Sequence, residues 1–346
     1  MSLDLTPEDI GLLETRTEGW IAGLQLAAIS LQGQENHQEF IQAFSGDNRF
    51  VIDFLLDEVL LRQPEDVRRS LLRTSILGHM CGPLCDVVVN LSDEESIQDG
   101  QGFLEYLDRA NLFIVPMDNQ RKWYRYHHLF SEVLLNRLRQ SELSKLPTLH
   151  LRASQWFEDE GNYNQSLIHA LAAGSLDRAA QLVEQNALDL LVHSRLTRLK
   201  KWYESLPKDL IHSRPKLCIY RGWLHILIGT AEDANRCVQV TEQLLSSAPL
   251  QDKAEEQEIL GLITCLKARI ALKIGELRKA DEFANQTLDY IIEGSPIHSH
   301  VAVIMGLAAY WDGDLETADQ ALREAISISQ DCDHRFMTVE ATIWLG

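Results

Sequence analysis

Apolar residues recur at helical spacing along almost the whole chain. In Leu5-Thr6-Pro7-Glu8-Asp9, Thr6 is placed as an N-cap, Pro7 at the first helical position and the acids in the first turn, so a helix starts there. Trp20, Ile21, Leu24, Ala27, Ala28 and Leu31 form the apolar face of a second helix over about 17–32. Two more are expected over 50–62 and 65–77, with Pro64 where a helix begins, and another helical stretch, interrupted once, over 81–110.

The pattern changes at Leu112–Met117, where an apolar run is followed by the polar Asp118-Asn119-Gln120-Arg121 and then by Trp123-Tyr124-Arg125-Tyr126. That is a β-hairpin. With the three helices before it and a helix over 128–140 after it, the outline is a winged-helix domain. From about residue 146 the chain reads as helix after helix with periodic punctuation. Gly229, Gly275 and Gly313 each have Ala five residues later (Ala234, Ala280, Ala318) and a small residue seven earlier (Gly222, Ala268, Gly306). This spacing predicts a tetratricopeptide-like α-solenoid, in which the small residue lets paired helices approach and the glycine closes the turn. A looser unit is expected around Ser154, Gly161 and Ala170. The fold class is therefore mainly α: a helical segment plus a winged helix with one hairpin, followed by the solenoid. The chain stops within what reads as the first helix of a further repeat, so the sequence reads as a piece of a longer protein, with Met1-Ser2-Leu3 as a cloning leader.

Charge limits what a wing can mean here. The net charge is −19, and residues 1–150 carry 13 basic against 23 acidic side chains while 151–346 carry 19 against 28. The helix before the hairpin sets Glu105 and Asp108 against Arg109. Neither half offers the cationic surface that phosphate neutralisation needs, so DNA binding would require another domain. The longest apolar run, 301–311, is far short of the roughly 20 residues that span a bilayer, and no secretory signal opens the chain, so the expected compartment is the cytoplasm. The six cysteines sit mostly within apolar helical patterns and read as buried thiols. Cys81 and Cys85 lack the second pair a zinc site needs, and His298 with His300, or Asp331 and Cys332 with His334, are incomplete as ligand sets. No metal is expected.

Several strings occur in order: Thr17-Glu18-Gly19-Trp20, Ala22–Ala27, Phe54–Leu60, Leu72–Leu77, Cys81–Cys85, Arg109–Phe113, Trp123–Phe130 and Leu199–Pro207. Together they resemble the MalT-like large ATP-binding LuxR-family transcription regulators, a branch of the signal-transduction ATPases with numerous domains, over about residues 5–325. In that family a nucleotide-binding domain, a helical segment, a winged helix, a tetratricopeptide-like sensor and a helix-turn-helix follow one another. The resemblance therefore assigns 1–45 to the helical segment after the nucleotide-binding domain, 46–145 to the winged helix and 146–346 to the sensor. No G-x-x-x-x-G-K-[ST] loop is present, so the chain is not expected to be an enzyme. It is expected to hold no cofactor, with ATP or ADP bound by the intact parent.

Related ATPases carry a winged-helix histidine that touches the β-phosphate of ADP in the resting state. By resemblance that role falls to His127 or His128: His127 fits the spacing to Phe130 and Glu132, His128 the spacing from Tyr126. Alternatively both pack at the hairpin-to-helix junction. On a tetratricopeptide fold, counting back from the closing glycines places Lys216, Trp223, Arg269, Lys273, His300, Tyr310 and Trp311 on the concave surface. Rings that stack and donors that orient suit a polar organic ligand such as a sugar or a short peptide, although aromatic residues at this spacing also pack between repeats. The implied function is the regulatory, inducer-sensing segment of an ATP-dependent activator. Ligand on the solenoid would release the winged-helix clamp, with self-association belonging to the parent and DNA bound only through an absent C-terminal domain. The alternative is a helical-repeat scaffold for a regulatory protein, with no small molecule.

Overall fold

In the computed structural model the described residues are 5–20, 24, 25, 27, 28, 31, 41, 55–90, 99–291 and 295–346. Part of the helix expected over 17–32, and the first part of that over 50–62, lie outside them. Two compact units divide between Ser175 and Leu176.

In the first unit, helix α1 (Pro7–Thr17) begins with the predicted cap. The Thr6 hydroxyl accepts from the Asp9 N–H at 3.2 Å, and the Asp9 carboxylate accepts from the Thr6 N–H at 3.1 Å. A single π-helical turn covers Leu55–Leu60. Helices α2 (Glu65–Thr74), α3 (Gly82–Val89) and α4 (Gly100–Arg109) precede the hairpin. Helix α2 ends three residues before the expected Leu77, where the Ser75 hydroxyl donates to the Leu72 carbonyl at 2.6 Å.

Strands β1 (Ile114–Pro116) and β2 (Tyr124–Tyr126) pair antiparallel with Ile114 opposite Tyr126, and Met80 bridges to Tyr124. Period-two alternation buries Tyr124 and Tyr126 and turns Arg125 to the other face. Helix α5 (His128–Ser141) follows. One apolar core gathers Leu71, Leu84, Leu104, Tyr124, Phe130 and Leu134 with many neighbours, and Arg73 lies fully buried beside it. Helices α6 (Leu146–Asp159) and α7 (Tyr163–Ala172) form the expected hairpin around Gly161, with the Ser154 and Ser166 hydroxyls 3.1 Å apart. This hairpin groups with the first unit.

The second unit opens with α8 (Leu176–Val192), α9 (Leu196–Glu204) and α10 (Lys208–Ser213). Three antiparallel pairs then follow: α11 (Pro215–Ile228) with α12 (Ala231–Ser247), α13 (Lys253–Lys273) with α14 (Leu277–Leu288), and α15 (Ile297–Asp312) with α16 (Leu315–Asp331). Helix α17 (Arg335–Leu345) packs on the last pair. The small-residue signature has a steric basis. A Cβ on Gly222 would lie 2.8 Å from Leu266 Cδ2 and 3.1 Å from Cys237 Cβ, and one on Gly306 would lie 2.9 Å from Leu322 Cγ. Ala234, Ala280 and Ala318 are buried opposite. Gly275 and Gly313 close their turns at φ of 82° and 87°, where a side chain is strained. Gly229 differs: its φ is −126°, and glycine is favoured there because a Cβ would press on His225 at 3.0 Å.

Gly222→Val is accordingly expected to cost the second unit about 1–3 kcal/mol through overpacking. Thermal unfolding checks this, and an unchanged midpoint would show that helices α11 and α12 do not need their close approach. Among the described residues no helix is long and apolar enough to cross a membrane.

Candidate functional site

The predicted residues gather at one locus in the first unit and, Lys216 apart, around two adjoining cavities in the second. In the first unit, α1 ends because Glu18 (φ 48°) and Gly19 (φ 75°) both turn left-handed. For a glutamate this conformation costs on the order of 1–3 kcal/mol, a strain that persists only where surrounding contacts enforce it. Here the contacts are with the junction of β2 and α5. Arg125 Nη1 donates to both Glu18 carboxylate oxygens at 3.0 and 3.1 Å. His127 Nε2 lies 2.7 Å from the Thr17 carbonyl and 3.6 Å from Glu18 Oε2, and His128 Nδ1 lies 3.4 Å from Glu18 Oε1. The two imidazoles stack at 4.9 Å.

Phe113 is left-handed as well (φ 54°). Its carbonyl accepts the His127 N–H at 2.8 Å, and its ring meets Trp20 at 5.0 Å and Phe130 at 5.3 Å. Strings far apart in the chain, Thr17–Trp20, Arg109–Phe113 and Trp123–Phe130, thus converge on one locus.

The electrostatics follow from this geometry. Burial raises the Glu18 carboxyl, but the Arg125 hydrogen bond and the charges of His127, Arg125 and His128 outweigh it and hold the group below its ordinary value. Burial lowers His127, against the opposing pull of the Thr17 carbonyl and Glu18. His127 is nearly buried and donates through Nε2 to the Thr17 carbonyl, while its Nδ1 has no hydrogen-bond partner. His128 is only half-buried. The ligand atoms of Glu18, His127 and His128 lie within 4.8 Å of one another, close enough to share a metal ion. Arg125 on the carboxylate and Thr17 on Nε2 already occupy two of the three groups.

In the second unit the predicted residues divide between two cavities that share Leu227 and Phe336. Trp223 and His300, with ring centroids 4.8 Å apart, line the smaller one beside His334 and Tyr220. Its volume is about 20 Å³, room for one water. Trp223 is buried and donates from Nε1 to the Leu262 carbonyl at 3.3 Å, so its ring packs as much as it lines. Burial holds His300 well below its ordinary value, assisted by the charges of His334 and Arg269.

Arg269, Lys273 and Trp311 line the larger cavity, about 390 Å³, together with Glu340, Phe336 and Trp344. Tyr310 packs against Trp311 and Trp344, with centroids at 5.6 and 5.9 Å. Lys216 joins neither cavity and pairs instead with Glu258 at 2.8 Å. Sequence spacing missed Glu18 at the first locus and Phe336, Glu340 and Trp344 at the second. Helix α17 carries all three of the latter and contains no closing glycine from which to count. Cys81 and Cys85 are buried and reduced, and burial raises both thiols.

Residues 56–146 match the family described as the MalT winged helix domain. Over 296 residues the chain is 32% identical to the HTH-type transcriptional regulator MalT of Yersinia enterocolitica, covering 84% of this chain and 32% of that protein. It is 28% identical over 329 residues to the MalT of Serratia proteamaculans, covering 94% and 35%. It is also 31% identical over 253 residues to the serine/threonine-protein kinase PknK of Mycobacterium tuberculosis, covering 73% and 22%. The chain thus spans between about a fifth and a third of the length of these relatives. Among solved structures it is similar to a signal-transduction ATPase with numerous domains from Pyrococcus horikoshii that carries a tetratricopeptide repeat sensor. The TM-score is 0.56 at 13% identity, covering 93% of this chain and 56% of that one, a likeness of fold alone.

Proposed function

The chain is a MalT-like segment of the signal-transduction ATPases with numerous domains, a winged helix and a helical-repeat sensor, and from that premise we propose that it is the regulatory, inducer-sensing part of an ATP-dependent LuxR-family transcriptional activator. On this reading the repeats bind a small polar organic inducer such as a sugar or a short peptide. Its preference for an open state releases the clamp that the winged helix places on a nucleotide-binding domain of the parent. The chain itself performs no catalysis. ATP and ADP belong to the parent, as do self-association and promoter binding, and His127 or His128 supplies the contact to the nucleotide β-phosphate. The observation that carries this reading is the larger cavity of the repeats, where donors and aromatic faces converge.

A second reading, a scaffold for a regulatory protein, is favoured by the exposed apolar side chains of Trp311, Val339 and Ile343. A thermal-shift screen of this chain against sugars, amino acids and short peptides separates the two. A specific inducer at a hundred times its dissociation constant adds about 2.7 kcal/mol. A flat response to every small molecule, with a regulatory protein binding instead, supports the scaffold. In the full-length parent, His127→Ala and His128→Ala test the clamp: one of them raises activity without inducer, and if neither does, the clamp is wrong.

A further inference from the structure

Two nearly buried side chains of the second unit end in polar atoms that no protein group satisfies. Arg269 is 9% exposed; Glu340 holds its Nη2, but its Nη1 has no hydrogen-bond partner. His300 is 8% exposed, and its Nδ1 is likewise unpartnered. Leaving such an atom buried and unsatisfied costs about 1–3 kcal/mol, so each calls for an explanation. Both residues line cavities, and the two cavities adjoin at Leu227 and Phe336.

The larger cavity has a definite charge. Its charged lining consists of Arg269, Lys273 and Glu340, two cations against one anion, within a chain of net charge −19. Arg269 and Glu340 compensate each other. Lys273 does not share in that pairing: its Nζ donates to the Ile226 carbonyl at 3.0 Å, which fixes the ammonium in place and satisfies one of its three donors. The rest of the wall is apolar or aromatic, and the Trp311 and Trp344 rings stand 6.3 Å apart at the edge of the cavity.

We propose that this cavity binds a small organic anion, a carboxylate or phosphate carried on a flat apolar body, with its oxygens on the Arg269 guanidinium and Lys273 Nζ and its body against Trp311 and Phe336. This rests on the reading of the repeats as an inducer sensor and narrows the inducer to an acid. A planar guanidinium with a free N–H matches the oxygens of both anion types, and charge-assisted bonds are roughly twice as strong as neutral ones. A neutral sugar can accept from Arg269 but leaves the surplus charge of Lys273 uncompensated. Glu340 competes with the ligand for the guanidinium, so occupancy loosens the tie between α13 and α17.

Calorimetric titration of this chain with phenylacetate, phenyl phosphate, the neutral phenylacetamide and a set of neutral di- and trisaccharides tests the proposal. At least one of the two acids is expected to bind about tenfold or more tightly than the amide, and the arm that wins tells carboxylate from phosphate. Because Arg269→Ala exchanges a buried residue and endangers folding, two milder variants carry the test. Lys273→Met weakens the acid severalfold, and Glu340→Gln, which frees the guanidinium, strengthens it. Equal binding of acid and amide, or acid binding indifferent to both variants, overturns the proposal. Saccharide binding with both acids silent overturns it while leaving the sensor reading intact, and silence from every class overturns it as well, the sensor reading then being decided by the thermal-shift screen with peptides.

Discussion

Glu142→Leu is expected to destabilise the first unit by about 3–5 kcal/mol, and to do so more severely than Arg73→Met. Arg73 is 0% exposed, with Nη1 donating to the Val89 carbonyl at 2.9 Å and Nε and Nη2 on Glu142 Oε2 at 3.4 and 3.3 Å. This guanidinium ties α2 to the end of α3 and to the C-cap of α5. Removing the carboxylate takes away the counter-charge that Glu142 supplies to a fully buried guanidinium, and Arg cannot shed its proton to escape. The reverse exchange is milder. Without Arg73, Glu142 is still partly exposed and still paired with Lys145 at 2.9 Å, so the main loss is the donor to Val89, worth about 1–3 kcal/mol. Urea unfolding followed by hydrogen exchange over 65–89 measures both. If Glu142→Leu costs no more than Arg73→Met, the buried charge is compensated by something other than this carboxylate.

The repeats were legible because their signature is local. A small residue, a closing glycine and an alanine at fixed offsets are a direct imprint of one helix pressing on the next, and the Cβ clashes at Gly222 and Gly306 are its physical content. The winged helix was legible for the same reason, since a turn between two β-rich runs carries its own punctuation. Gly229 shows the limit of such reasoning: it stands where a turn glycine should, yet serves by leaving room for His225. What the pattern could not show were partnerships between distant segments. Glu18 meets Arg125 across 107 residues and Arg269 meets Glu340 across 71, and nothing in the local spacing of either pair announces the other. Lys216, counted onto the groove by the same rule as Arg269, went to Glu258 instead because the rule fixes a helix face and not the neighbour that face meets.

Acidification is expected to loosen the α6–α7 hairpin between about pH 6.5 and 4. His150 and His169 face each other Nδ1 to Nδ1 at 2.9 Å, an arrangement that requires one donor and one bare nitrogen. Burial lowers both to about 4, with Arg139 adding to the effect on His150, and with His150 and then His79 adding to that on His169. The sign follows from linkage. The unfolded chain, whose histidines titrate near 6.5, takes up protons before the folded one, so the contribution is complete above that value and is lost as pH falls toward 4. For His169, 4% exposed, a displacement of this size is worth on the order of 3 kcal/mol at full protonation. His169→Phe isolates the effect, because a phenyl ring can keep the stack on Phe157 at 5.5 Å but cannot titrate. Hydrogen exchange over residues 146–172 is the readout, since His334 in the second unit is also lowered to about 4 and would blur any global melting curve. Protection in the unaltered chain should fall steeply below pH 6, and in the variant, where His150 alone of the pair still titrates, the fall should be shallower. An equal slope in both would mean that the pair is not what makes the hairpin acid-sensitive.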